Sequence, residues 1–255
     1  MKHRTGHIKS VWVDVGAYRL HTRVSVDPVP DGLLPVVLVH GLAVSSLYFV
    51  PTHRHLAPHF RVYAPDLPGF GRSVKPAHIL TVRELANMLA AYLKTVGIER
   101  AVLVGNSVGC QIIVDFALRF PRYVDRAVLV GPTMDRHARF MPRQILRLAL
   151  DSLREPLSQP FVVGFDYLRS GPRRAFQTAH YAIEDPIEEK APYMRAPMIV
   201  VRGERDPIVP RRWAAELAQR LPGGRLIEVA GSAHTVNYSH PAELTRIIRE
   251  FVAEG

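Results

Sequence analysis

Cysteine is almost missing from this chain: 255 residues contain one, Cys110. An internal disulfide is therefore excluded, and with it a disulfide-stapled scaffold. Long apolar runs are missing too. The stretch LLPVVLVHGLAV near the front is interrupted by Pro35, His40 and Gly41, and it is short of the about 20 residues that span a bilayer. The opening MKHRTGHIKS is polar and leads into alternating residues, unlike the apolar centre of a secretory signal. The formal charge is +10, yet no block of five or more basic residues occurs. Scattered arginines of this kind read as solvated surface, and no nucleic-acid-binding motif accompanies them. No group of histidines and cysteines has metal-ligand spacing.

What is present is core-forming material, with 47% hydrophobic residues, enough for one sizeable α/β domain. SVWVDV and YRLHTRVSV alternate with a period of two and are separated by Gly16-Ala17, which predicts a hairpin. PVVLVH is a continuous apolar run, the pattern of a strand buried on both faces. FRVYAPD predicts a further strand. In TVRELANMLAAYLKTVG, Leu85, Met88, Leu89, Tyr92 and Val96 recur at helical spacing before Gly97. Strand AVLVG, helix VGCQIIVDFALRF and strand DRAVLVG follow. Beyond a gap come strand PMIVVRG, helix RRWAAELAQRL, strand RLIEVA and helix PAELTRIIREFV. Alternating strands and helices predict a mostly parallel, doubly wound sheet, with the opening hairpin as its antiparallel edge. Residues 133–194 break this rhythm with many prolines and no clear strand, too long a stretch for a simple connection. They are expected to form a helical insertion over the strand ends, between core segments 1–132 and 195–255.

One serine stands out. In VLVGNSVGCQ, Gly105-Asn106-Ser107-Val108-Gly109 fits G-x-S-x-G between a strand and a helix. The bend needed there is so tight that side chains at 105 and 109 would collide with their neighbours. It exposes the Ser107 hydroxyl at the carboxyl edge of the sheet, where open α/β folds bind ligands. A serine is a weak nucleophile without an adjacent base held by a third group. Asp206, in VVRGERDPIVP, and His234, in VAGSAHTVN, follow the last two strands, PMIVVRG and RLIEVA. Among twelve histidines only His234 lies in a post-strand loop beyond both Ser107 and Asp206. Asp135, after the earlier strand, is the alternative acid. The oxyanion is expected to meet the backbone N–H groups of Val108 and Leu42. His40 is read as a structural hydrogen-bonding residue, Asp66 as a cap on DLPGFGRS, and Cys110 as packing.

Five stretches in order, HGLAVSS, DLPGFGRS, GNSVG, GERDPIVP and GSAHTVN, resemble the signatures of the α/β-hydrolase superfamily. The resemblance covers residues 35–131 and 195–252. It implies an α/β-hydrolase fold, Ser107 as nucleophile, Asp206 as acid, His234 as base and a helical cap over 133–194. The activity implied is that of a serine hydrolase acting on an ester of a small, fairly apolar molecule, and the missing signal and spanning run add the expectation of a cytoplasmic protein. It needs no cofactor or metal, no nucleic acid and no membrane insertion, and the oligomeric state is left open. GNS-x-G is also similar to hydrolases that split carbon–carbon bonds of ring-cleavage products, although those usually carry tryptophan after the histidine, where this chain has Thr235. They also carry glycine where it has Cys110. An acyltransferase or a ligand receptor on the same fold are further alternatives. Within the cap, Phe140, Leu146, Phe161, Phe165 and Tyr167 are expected to line an apolar pocket or pack the cap down. Its arginines are expected on a solvated face, with pairs such as Arg147 and Asp151 at i, i+4.

Overall fold

The computed structural model describes residues 5–30 and 32–254. Eight strands form one sheet in the order β1-β2-β4-β3-β5-β6-β7-β8. The hairpin β1 (Ile8–Val15) and β2 (Tyr18–Ser25) is antiparallel and occupies one edge. β2 joins β4 (Val62–Pro65) antiparallel, and every later pairing is parallel. The centre holds β3 (Val36–Val39), β5 (Ala101–Asn106), β6 (Val124–Val130) and β7 (Met198–Gly203), with β8 (Leu226–Val229) at the far edge.

Continuous apolar runs bury both faces of these central strands, as parallel strands require. Val37, Val39 and Leu103 pack into one core cluster, whereas Val36, Leu38 and Val104 pack into the other. Helices α2 (Val82–Thr95), α3 (Val108–Arg119) and α8 (Arg211–Arg220) supply the first cluster. α1 (Val50–Leu56) and α10 (Pro241–Ala253) supply the second. α2 starts where its sequence dictates. The Thr81 hydroxyl accepts from the Glu84 N–H while the Glu84 carboxylate accepts from the Thr81 N–H, a reciprocal cap for two otherwise unpaired donors.

Between β6 and β7 the chain runs through α4 (Met141–Ser152), α5 (Ser158–Ser170), α6 (Pro172–Glu184) and the short α7 (Ile187–Lys190). The turn α9 (Val236–Ser239) follows β8. No helix among the described residues is long and apolar enough to cross a membrane.

Candidate active site

Ser107 sits between β5 and α3 at φ 58°, ψ −125°, a left-handed conformation that costs a non-glycine residue about 1–3 kcal/mol and persists only where its surroundings enforce it. The enforcement is steric. A Cβ on Gly105 would lie 2.8 Å from the Gly109 backbone, and one on Gly109 would run into the Val39 carbonyl oxygen. The two glycines let α3 close against β3 and β5 while the hinge residue points away.

The loop after β3 presses onto this hinge. A Cβ on Gly41 would come within 3.0 Å of both the Asn106 carbonyl oxygen and the Ser107 Cβ, which places Leu42 beside the bend. The loop is pinned from both ends. The Tyr48 hydroxyl accepts from the Gly41 N–H at 2.8 Å and donates to Asn106 Oδ1 at 3.1 Å. Burial holds that phenol protonated, well above its ordinary range. His40 donates from Nδ1 to the Gly41 carbonyl at 3.0 Å and accepts at Nε2 from the Leu67 N–H at 2.9 Å. Both ring nitrogens are thereby occupied, and burial keeps the ring neutral. Asp66 accepts from the Ser46 and Arg72 N–H groups and faces His21. Burial would raise its pKa, but these donors bring it down to about 2.

The loops after β7 and β8 converge on the same edge. His234 Nδ1 is 2.8 Å from Asp206 Oδ2. A ring nitrogen facing a carboxylate carries the proton, so in the neutral ring Nε2 is the acceptor. That Nε2 is buried and has no hydrogen-bond partner among the described residues. Asp206 Oδ1 accepts from the N–H groups of Ile208 and Val209 at 2.8 and 2.9 Å. Asp135, the alternative acid, is elsewhere: Arg147 donates to it at 3.1 Å, and it caps the His137 N–H.

Four contributors to this arrangement escape sequence reading. A Cβ on Gly131 would lie 2.9 Å from the His234 ring, so only glycine at the end of β6 leaves room for the imidazole. Arg202, in β7, donates to the carbonyls of Val209 and Asp206 at 2.6 and 3.2 Å and braces the Asp206 loop. The other two come from α4 and the turn after it. Asp151 Oδ1 accepts from the His234 N–H at 3.0 Å, and Glu155 Oε1 accepts from the Thr235 N–H at 2.6 Å. The inserted segment therefore holds the histidine loop by its backbone. No motif announces such contacts, because they join residues about eighty positions apart. Burial raises Asp151 to about 7. At His234 burial favours the neutral ring, but Asp206, Asp151 and Glu155 outweigh it and lift the pKa to about 9.

Ser107 and His234 open into one cavity of about 330 Å³, which Leu42, Val108 and Asp151 also line. Most of its wall is apolar, including Met134, Met141, Leu148, Val163 and Ile208. Among the described residues, no lysine or arginine lines it. Two expectations for 133–194 need correction. Of the five side chains expected to line a pocket or pack the segment down, only Tyr167 lines this cavity. Phe140, Leu146, Phe161 and Phe165 are exposed. The i, i+4 pairing of Arg147 with Asp151 is absent, because Asp151 is drawn inward to the His234 N–H and Arg147 turns to Asp135.

The sequence and the fold match a known family. The sequence model of the alpha/beta hydrolase family fits residues 36–247, and the chain belongs to that family. Its relatives include esterases and carbon–carbon hydrolases. The pimeloyl-[acyl-carrier protein] methyl ester esterase of Vibrio vulnificus is 23% identical, over 86% of this chain and 94% of its own. The 2-hydroxy-6-oxo-2,4-heptadienoate hydrolase of Pseudomonas putida is 26% identical, over 86% and 89%. Among solved structures, a thermophilic esterase from Thermogutta terrifontis superposes with a TM-score of 0.80 at 21% identity, covering 96% of this chain and 98% of that one.

Proposed function

We propose that the chain is a serine hydrolase that cleaves carboxylic esters of small, largely apolar molecules through an acyl-enzyme. Ser107 Oγ attacks the ester carbonyl carbon and gives its proton to His234 Nε2. Asp206 fixes the Nδ1–H tautomer and stabilises the imidazolium. The N–H groups of Leu42 and Val108 receive the oxyanion, each such donor contributing about 3 kcal/mol to lowering the barrier. As the tetrahedral intermediate collapses, the alcohol leaves with the proton held on His234. Water then gives a proton to His234, attacks the acyl carbon, and releases the carboxylic acid and the restored Ser107 hydroxyl. The helices of 133–194 act as a cap that closes the acyl site.

The observation that carries this reading is the pairing of an unoccupied, buried His234 Nε2 with a serine held in a strained bend at the same cavity wall. The wall also favours esters over the dienoate acids of the carbon–carbon hydrolases. Among the described residues no lysine or arginine lines the cavity to pair with a substrate carboxylate, and Asp151 does line it. Burying an unpaired carboxylate costs several kcal/mol, roughly enough to exclude it.

Hydrolysis of p-nitrophenyl esters of graded chain length, by wild type and Ser107→Ala, tests the proposal. The expected result is turnover of the neutral esters and a loss of roughly 10³-fold or more in Ser107→Ala. Wild-type rates in Ser107→Ala would overturn the mechanism. Faster turnover of a vinylogous diketone acid than of any ester would move the assignment to carbon–carbon cleavage.

A further inference from the structure

The outer surface of α4 and α5 has an unusual makeup. Leu153, Leu157, Phe161 and Leu168 are 83, 87, 79 and 85% exposed. Single exposed leucines are ordinary, but a contiguous set marks a surface that meets something. Here the set is contiguous by spacing. Leu146, Leu150 and Leu153 recur at helical spacing along α4 and its C-terminal cap, and Leu157, Phe161, Phe165 and Leu168 do so along α5. The patch reaches the cavity, because Ile145 and Phe176 are more than half exposed and also line its wall.

The charge on this surface is of one sign. Between residues 136 and 183 the only acids are Asp151, Glu155 and Asp166. All three are buried. The first two hold the N–H groups of His234 and Thr235, and Asp166 accepts from the Ser45 hydroxyl at 2.7 Å. Arg143, Arg154, Arg169 and Arg173 remain outside, all exposed. Helical spacing sets Arg143 beside Leu146, Arg169 beside Phe165 and Arg173 beside Phe176. The surface of α4 and α5 is therefore apolar and cationic, with the carboxylates of 141–170 turned inward, and the exposed Glu184 at the end of α6 is paired with His180.

We propose that this face docks the protein peripherally on an anionic lipid surface, with the cavity mouth turned toward it. Apolar side chains at the level of the acyl boundary, flanked by arginines at the level of the headgroups, are what such a surface accepts. A second copy fits less well, since a two-fold contact would bring these arginines against their own equivalents. Binding at this face is independent of the reaction proposed above, and can be read without turnover.

The test is co-sedimentation of the full-length protein with vesicles of phosphatidylcholine alone, or of phosphatidylcholine mixed with phosphatidylglycerol. Binding to the mixed vesicles is expected, with little to the neutral ones, and it should weaken as salt rises. The variants Leu153→Ser/Leu157→Ser/Phe161→Ser and Arg143→Gln/Arg169→Gln/Arg173→Gln should each weaken it at least about tenfold, with thermal unfolding confirming that both fold. Equal binding to both vesicle types, no binding to either, or binding untouched by both variants would overturn the proposal. Concentration-dependent self-association without vesicle binding, abolished in the first variant, would assign the face to a second copy instead.

Discussion

The sheet and the helices inserted between β6 and β7 solve opposite problems. In β3, four consecutive apolar residues are buried on both faces, so hydrophobicity and location agree. In α4 and α5 they disagree. Leu153, Leu157 and Phe161 face outward, while Asp151, Glu155 and Asp166 face inward onto the loops of the candidate active site. Inverted polarity of this sort follows from what the segment touches. It rests on the buried backbone N–H groups of His234 and Thr235 and the Ser45 hydroxyl, which need acceptors, not on the apolar face of a sheet.

Substitutions break this contrast at different strengths. The largest effect is expected at the junction of the core loops. Asp206→Asn removes the charge behind His234 and should lower kcat on esters by about 10⁴-fold, measured by steady-state kinetics, with thermal unfolding largely preserved. Next is the sheet itself. Leu103→Ala, in the centre of β5, should cost about 2–5 kcal/mol in denaturant unfolding, because the packing on every side prevents the cavity from collapsing.

Asp151→Asn sits on the boundary between the two regions and should act through pH. Asp151 retains its proton to about 7 against an ordinary 3.8, so the folded chain binds a proton that the unfolded chain has released. Stability then falls as pH rises from 3.8 toward 7, and Asp151→Asn, which still offers an acceptor to the His234 N–H, should flatten that slope of Tm. Above that range the ionised Asp151 helps hold His234 protonated up to about 9. The rise of kcat/KM with pH should therefore shift to lower pH in Asp151→Asn. An unchanged profile would mean that the inserted segment does not tune the base. The smallest effect is expected on the outer face, where Leu157→Ser should change stability by no more than about 0.5 kcal/mol.

The same contrast sets what the sequence could reveal. Strand runs and the glycine-framed hinge are local patterns with local causes, and both were legible. So was the convergence of Asp206 on His234, because both follow parallel strands whose ends share one edge. The inserted segment was legible only as helical. Periodicity reports that a helix has an apolar stripe, but not what the stripe faces. Reading Phe140, Leu146, Phe161 and Phe165 as inward-facing assumed that apolar means buried, and their exposure shows the limit of that rule. Asp151 and Glu155 were hidden for a related reason, since a carboxylate on a charged helix looks like a surface residue until its acceptor role across the fold is seen.

At the centre of the account is a Ser107 hydroxyl made nucleophilic by His234. Mass spectrometry of the intact protein and its peptides after exposure to a serine-directed fluorophosphonate tests this most directly. One adduct is predicted, on the peptide containing Ser107, formed slowly in His234→Ala and absent in Ser107→Ala. An adduct on another serine, or labelling of Ser107 at the same rate without His234, would contradict it.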